Sequence, residues 1–104
     1  MSAAGAAGPF AEKLLAAVAD RQGIAPLSDT MELDEPTALL VQDAVVQARI
    51  DAGAALVGAK LGLTSVAKQK QMNVDRPLYG WLTADMAIDT GRPLRCSDYI
   101  QPRV

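Results

Sequence analysis

Residues 34–53, DEPTALLVQDAVVQARIDAG, constrain this chain more than any other stretch. Asp34 is placed to cap a helix, and Pro36 is tolerated in a first turn where its missing N–H has no partner to lose. Leu39, Leu40, Ala44, Val46 and Ile50 then predict a wide apolar face on a helix that runs to about Ala52, with Gly53 as its stop. A helix with such a face has to be covered. A second helical pattern runs from Pro9 to about Gln22, with Phe10, Leu14, Leu15 and Val18 on one face and Gly23 ending it. Residues 1–8, small and neutral, are expected to be frayed and disordered.

The material available for covering is thin. Half of the 104 residues are apolar, but the aromatics amount to one Phe, one Trp and two Tyr, and many of the rest are alanines. Alanine buries little area, and a chain of this length buries a smaller share of its surface than a larger domain. One small domain over residues 9–104 is the expectation.

Between the helices lies a polar loop, and after them comes ALVGAKLGLT, residues 55–64. It is dense in apolar residues and too short for a good helix, so it predicts a buried strand whose Gly58 and Gly62 allow close backbone approach. Ser65 predicts an N-cap for a short helix from Val66 to about Met72, with Asn73 as its C-terminal stop. From Pro77 the chain reads as irregular through RPLYGWLTADM. AIDTGRPLRC then predicts a strand, a Gly-containing turn and another strand. The order α–α–β–α–β–β implies an α/β or α+β unit, its N-terminal helices packing on a small mixed sheet. The end, IQPRV, predicts an extended segment, and so short a sheet leaves edges and apolar faces for further chain or a partner to complete.

Charge and composition exclude several functions. The net charge is −2 with both signs mixed, so there is no basic stripe for nucleic acid. The chain has no histidine, which removes Cys–His and Ser–His pairs and any histidine metal ligand from these residues. With Cys96 as the only cysteine no internal disulfide forms, and a reducing, cytoplasmic setting is expected. No apolar run reaches membrane-spanning length, and the N-terminus lacks the charged start of a signal peptide.

One residue breaks the apolar pattern. Lys60 stands between Ala59 and Leu61, inside the expected strand. Its plain reading is a side chain that snorkels to the surface. Its sharper reading is a compact cation at the rim of a pocket, donating to a carboxylate or carbonyl oxygen, with glycines beside it to let a ligand approach. Thr64 and Ser65 follow, at the start of a helix whose free N–H groups favour an anion, although Ser65 also reads simply as a cap. GAKLGLTS is not a phosphate-binding loop, because its lysine does not sit between glycine and Ser/Thr. Tyr79, Gly80 and Trp81 read as a turn cluster that closes over a core or walls a pocket. KQKQ, residues 68–71, reads as a solvated face, and Cys96 as a small buried residue. Asp85, Asp89 and Asp98 show no spacing that suggests a catalytic pair or metal site.

GIAPLSD at 23–29, the Lys60–Ser65 run, MNVDRPLYG at 72–80 and IQPRV at 100–104 together resemble the N-terminal part of the 2-keto-4-pentenoate hydratase / 4-oxalocrotonate decarboxylase family. These are relatives of the fumarylacetoacetate hydrolase fold that act in the meta-cleavage catabolism of aromatic compounds. The resemblance covers about residues 10–104 and implies an incomplete copy of that fold, cut before its metal-binding C-terminal domain. It implies that the strand after QPR continues into a Glu-x-Glu pair that holds Mg²⁺ or Mn²⁺, so the ligands are absent from this chain. It also implies that Lys60 is the family's active-site lysine, holding the carboxylate of a small 2-oxo acid and polarising its 2-oxo group, with the Leu61 backbone beside it. Thr64, Ser65 and Tyr79 are the further expected substrate contacts.

Two reactions follow from the resemblance. One is hydration of 2-hydroxypenta-2,4-dienoate to 4-hydroxy-2-oxopentanoate, and the other is decarboxylation of 2-oxohex-3-enedioate to 2-oxopent-4-enoate. In the turn Pro77-Leu78-Tyr79-Gly80, the hydratases carry an acid where Leu78 stands, and the decarboxylases an apolar residue. AKxxQM at 67–72 also looks like the decarboxylases, whereas IAPLSD and IQPRV look like the hydratases. The resemblance further implies a homo-oligomer and a decarboxylase/hydratase partner enzyme. A homologue with a longer dienedioate or an acylpyruvate as substrate is a third possibility. The rival of another class is a non-catalytic module that only packs against a partner, and the 104 residues alone are expected to be inactive.

Overall fold

The computed structural model describes residues 3–103, with side chains from Ala7 onward. Five regular elements follow in order: α1 (Ala3–Asp20), α2 (Glu35–Asp51), β1 (Leu56–Gly62), α3 (Val66–Gln71) and β2 (Leu78–Thr83). Short 3₁₀ turns occupy Leu27–Asp29, Ala84–Met86 and Cys96–Asp98. The chain divides into two compact units, one of residues up to Arg49 together with those from Asp89, the other Ile50–Ile88.

In the first unit α1 starts at Ala3, so residues 3–8 are helical rather than frayed, and Pro9 lies inside the helix instead of opening it. The alanine-rich start explains this, since alanine is the strongest helix former. Residues 1 and 2 lie outside the described residues. The helix also stops earlier than Gly23 suggested. Arg21 takes a left-handed conformation, φ 55°, while Gln22 N–H donates to Ala17 O and Arg21 N–H to Val18 O. Those two bonds satisfy the last carbonyls of the helix in the Schellman arrangement that glycine usually provides.

α2 begins where its cap predicts: Asp34 Oδ1 accepts from Thr37 N–H at 2.9 Å. Its last residue is Asp51, and just beyond it Gly53 holds φ +110° and donates its N–H to Ile50 O. The core is small. Ala7, Phe10 and Val41 are buried together, with Leu14, Leu27 and Leu33 packed against them. Val41 is the buried residue of α2, whereas Leu40 of the expected face is exposed. On α1, Val18 is exposed and Ala11 and Ala17 are buried in its stead. Burying a side chain the size of Phe10 contributes about 1.5–3 kcal/mol, which makes it the largest single term in this unit.

The second unit is built on an antiparallel ribbon of β1 and β2, a two-stranded sheet and not a mixed one. β2 forms where the sequence reads as irregular, and no strand forms in residues 87–96, which hold a turn at Gly91 (φ +86°). α3 follows its signals: Ser65 Oγ accepts from Lys68 N–H at 3.2 Å, and Asn73 holds φ 57° at the other end. Val74 N–H to Gln69 O and Asn73 N–H to Lys70 O complete a second Schellman closure. β1 is not the buried strand its composition suggests; Leu56 through Leu61 are all exposed. Residues 100–103 are irregular, with Gln101 at φ 45°, so the expected terminal strand is absent from the described residues and Val104 lies outside them. Cys96 is exposed rather than buried.

Candidate functional site

The register of the ribbon decides what Lys60 faces. Lys60 pairs with Gly80, Leu61 with Tyr79, Ala59 with Trp81, Gly58 with Leu82 and Gly62 with Leu78. Directly paired residues share a face, and neighbours along a strand alternate. Lys60 therefore shares its face with Gly58 and Gly62 along β1 and with Gly80 across from it, while Leu78 and Leu82 lie diagonally. Ala59, Leu61, Tyr79 and Trp81 occupy the opposite face. A break in register between Leu56 and Gly58 puts an extra residue at Val57, a bulge that lets Leu56 pair with Thr83.

The glycines around Lys60 answer no local demand. A Cβ at Gly58 or Gly62 would meet nothing within 4 Å, and neither holds a positive φ. Glycine inside a strand forgoes roughly 0.5–1 kcal/mol relative to alanine, so the positions flanking Lys60 are small at a cost to the ribbon. The Lys60 side chain is exposed, with glycine as its nearest neighbours along and across the ribbon and Leu78 and Leu82 on the diagonals.

Thr64 and Ser65 lie just past the strand, both exposed. The Ser65 hydroxyl is engaged in capping α3, a helix of 6 residues. The loop between carries Leu63 at φ 52°, and its carbonyl accepts from Gln69 Nε2 at 2.9 Å. A leucine in the left-handed region is strained, and Gln69 holds it there. The sequence gives no local signal for that tie, because KQKQ reads as solvated and leucine does not mark a left-handed turn. Tyr79 and Trp81 meet edge to face, ring centroids 5.6 Å apart at 71°, within β2 rather than at a turn. The Tyr79 ring thus lies on the face away from Lys60; the ribbon brings their main chains together but not their side chains.

Three of the carboxylates are engaged in local structure. Asp85 accepts from the buried Thr83 hydroxyl at 2.5 Å. Asp75 binds Arg76, whose hydrogen bond and charge hold its carboxyl below the ordinary carboxylate range, and Asp98 lies 3.6 Å from Arg21. Among the described residues no group of three or more His, Cys, Asp or Glu side chains comes together as a metal site. A divalent ion does not fit this donor set.

Lys60 thus lies on the ribbon beside Gly58, Gly62 and Gly80, and the loop that leads to Thr64 and Ser65 follows it in the chain. The chain is 45% identical over 92 residues to 2-keto-4-pentenoate hydratase 1 of Dechloromonas aromatica (strain RCB), covering 88% of this chain and 35% of that protein. It is 41% identical over 64 residues to 4-oxalocrotonate decarboxylase of a Pseudomonas species, 62% of this chain and 25% of the relative. Its fold superposes on the solved 4-oxalocrotonate decarboxylase of Pseudomonas putida G7, complexed with calcium and acetate, with a TM-score of 0.84 and 32% identity over 90% of this chain and 37% of that one. A second structure of that decarboxylase, complexed with magnesium and adipate, matches with a TM-score of 0.70. No protein-family profile matches the chain. In sequence and fold the chain is a homologue of the 2-keto-4-pentenoate hydratases and 4-oxalocrotonate decarboxylases, and it spans about a third of their length.

Proposed function

We propose that the chain is part of a lyase acting on small 2-oxo-4-enoic acids, in which Lys60 holds the substrate's carboxylate and polarises its 2-oxo group. The observation that carries this reading is the placement of Lys60 beside three glycines, Gly58 and Gly62 along its strand and Gly80 across from it. An ammonium group there donates to carboxylate and carbonyl oxygens, and it favours the enolate form in which negative charge moves onto the 2-oxo oxygen. The backbone at Leu61, with Thr64 and Ser65, borders the same corner. Tyr79 contacts a substrate only where it reaches past the ribbon edge to the Leu61 face. The acetate and adipate in the solved relative support a carboxylate ligand.

The reaction read first is hydration of 2-hydroxypenta-2,4-dienoate. Decarboxylation of 2-oxohex-3-enedioate is favoured by one observation: Leu78 lies diagonal to Lys60 on its own face, where no acid is at hand to move the proton of an added water. The described residues gather no metal ligands. The Mg²⁺ or Mn²⁺ that the family resemblance implies would be held by carboxylates outside them. A cytoplasmic location and a homo-oligomeric assembly, with a decarboxylase or hydratase partner enzyme, complete the reading. No helix among the described residues is long and apolar enough to cross a membrane.

The test is an NMR titration of the chain with 2-oxopent-4-enoate, repeated with Lys60→Ala. Binding is expected to fall at least tenfold in the variant, with the fold intact because Lys60 is exposed. Equal binding by the two proteins would remove Lys60 from the site. Adding a separately expressed remainder of a relative is expected to restore turnover. Continued inactivity favours a non-catalytic module, and release of CO₂ in place of water uptake selects the decarboxylase.

A further inference from the structure

Among the described residues, Arg21, Leu63, Asn73 and Gln101 hold a positive φ without being glycine. Arg21 and Asn73 close helices, where a left-handed residue lets the last carbonyls find donors. Leu63, at φ 52°, closes none; it stands between the end of β1 and Ser65, the cap of α3. Glycine takes that conformation freely, and leucine does not. One side chain is committed to holding it. The Gln69 backbone donates its N–H to Ser65 O at 3.0 Å and accepts from Val74 N–H at 2.8 Å, and the side-chain Nε2 donates to Leu63 O at 2.9 Å. That last bond fixes a peptide plane. The Leu63–Thr64 peptide is trans, so its N–H points opposite to its C=O. With the oxygen turned to Gln69, the Thr64 N–H turns away from it, and no backbone carbonyl among the described residues accepts it.

We propose that Gln69 is a positioning residue for the 2-oxo acid: by holding Leu63 O it keeps the Thr64 N–H turned outward as a donor to the ligand. The inference rests on the reading of Lys60 and Thr64 as ligand contacts, and it adds a residue that touches no ligand itself. Backbone strain that closes no helix is characteristic of binding loops, where the surrounding structure pre-orients a group for its ligand. A released Leu63 would relax toward negative φ and rotate the peptide that follows it. The donor would then have to be ordered at each binding event, and that ordering is paid out of affinity. A Gln69 of structural importance alone would act on the stability of α3 and leave affinity where it is.

Gln69→Met removes the donor while keeping length, neutrality and helix propensity. Backbone NMR of the free chain reads the loop. Titration with 2-oxopent-4-enoate then compares the unaltered chain, Gln69→Met and Lys60→Ala. Gln69→Met is expected to shift Leu63 and Thr64 and to leave the β1–β2 ladder resonances in place. It is expected to weaken binding roughly three- to tenfold, the net effect of one hydrogen bond. With Leu63→Gly in addition, the two losses are expected not to add, because both act on the same peptide. Should Gln69→Met misfold, Gln69→Glu has the same shape and no proton to donate at neutral pH. It is expected to give the same loop shifts and the same overlap with Leu63→Gly. Unmoved Leu63 and Thr64 resonances, or additive losses in the double variant, would overturn the proposal. Lys60→Ala separates the two ways to fail. Weaker binding there with unchanged binding in Gln69→Met removes Gln69 alone, whereas equal binding by all three proteins removes the Lys60 reading and this inference with it.

Discussion

The two compact units differ in what holds them. The first closes on apolar burial: Phe10, Ala7 and Val41 are shielded, and Leu14, Leu27 and Leu33 lean on them. The second buries no apolar side chain among its described residues; Thr83, 1% exposed, is its one buried residue. Its order comes from ladder hydrogen bonds, from caps on α3, and from the Gln69 tie to Leu63. Meanwhile Val57, Leu61, Val66 and Met72 are each 60% exposed or more. A two-stranded ribbon is marginal by itself. One unit closes on a core of its own, and the other, which holds Lys60, is a frame left open.

The sharpest way to break this comparison is to truncate one aromatic in each unit. Phe10→Ala removes the largest buried side chain of the first unit, and a loss of about 3–5 kcal/mol is expected. Trp81→Ala, at a residue 36% exposed, is expected to cost far less in this chain. Urea unfolding followed by circular dichroism measures both. Equal losses would mean that the ribbon contributes a core of its own, and the contrast between the units would fail.

What the sequence made legible divides along a related line. Signals that act within one turn of chain were readable: Asp34 capping α2, Gly53 ending it, Ser65 and Asn73 bounding α3. Each satisfies backbone groups a few residues away, so neighbours in sequence suffice to find it. β2 was not readable, because Leu78–Thr83 is interrupted by Gly80 and follows a proline, and it becomes a strand only by pairing with β1. The exposure of β1 was misjudged for the same reason: an apolar run says that a strand seeks cover, not what provides it. Lys60 stood out by residue type alone. Which side chains share its face needed the register, and the register separated Tyr79 from it.

A smaller effect tests where each unit stores backbone strain. Arg21 and Leu63 both hold left-handed conformations, at φ 55° and 52°. Such a conformation costs a non-glycine residue roughly 1–2 kcal/mol. Arg21→Gly relieves it without disturbing the two hydrogen bonds that close α1, and a gain of about 1 kcal/mol is expected. The Asp98 contact that it removes is a long surface pair and is worth little. Leu63→Gly relieves the same strain but loosens the loop beside Lys60. Its expected signature is weaker ligand binding together with unchanged or raised stability, measured by titration and by urea unfolding. A loss of stability at Arg21→Gly would show that the arginine side chain, and not the backbone, closes α1.

The smallest expected effect is that of acid on the two helices. Asp34 accepts hydrogen bonds from the Thr37 hydroxyl and then from the Thr37 N–H, and these hold its carboxyl below the ordinary value of 3.8. A carboxyl whose folded value is depressed binds its proton more readily in the unfolded chain. Its contribution is therefore fully present above the unfolded value and is lost as pH falls through the lower, folded value. Ser65 does the corresponding work for α3 with a hydroxyl that does not titrate in this range. Lowering the pH from 5 toward 2 is thus expected to fray the start of α2 while the start of α3 keeps its cap. Backbone NMR shifts of Thr37 and Lys68 read the two ends separately. Asp34→Asn, which keeps an accepting oxygen without the titration, is expected to flatten the Thr37 response. If Thr37 and Lys68 instead moved together with pH in both proteins, acid would be acting on the whole chain rather than on the one cap that carries a charge.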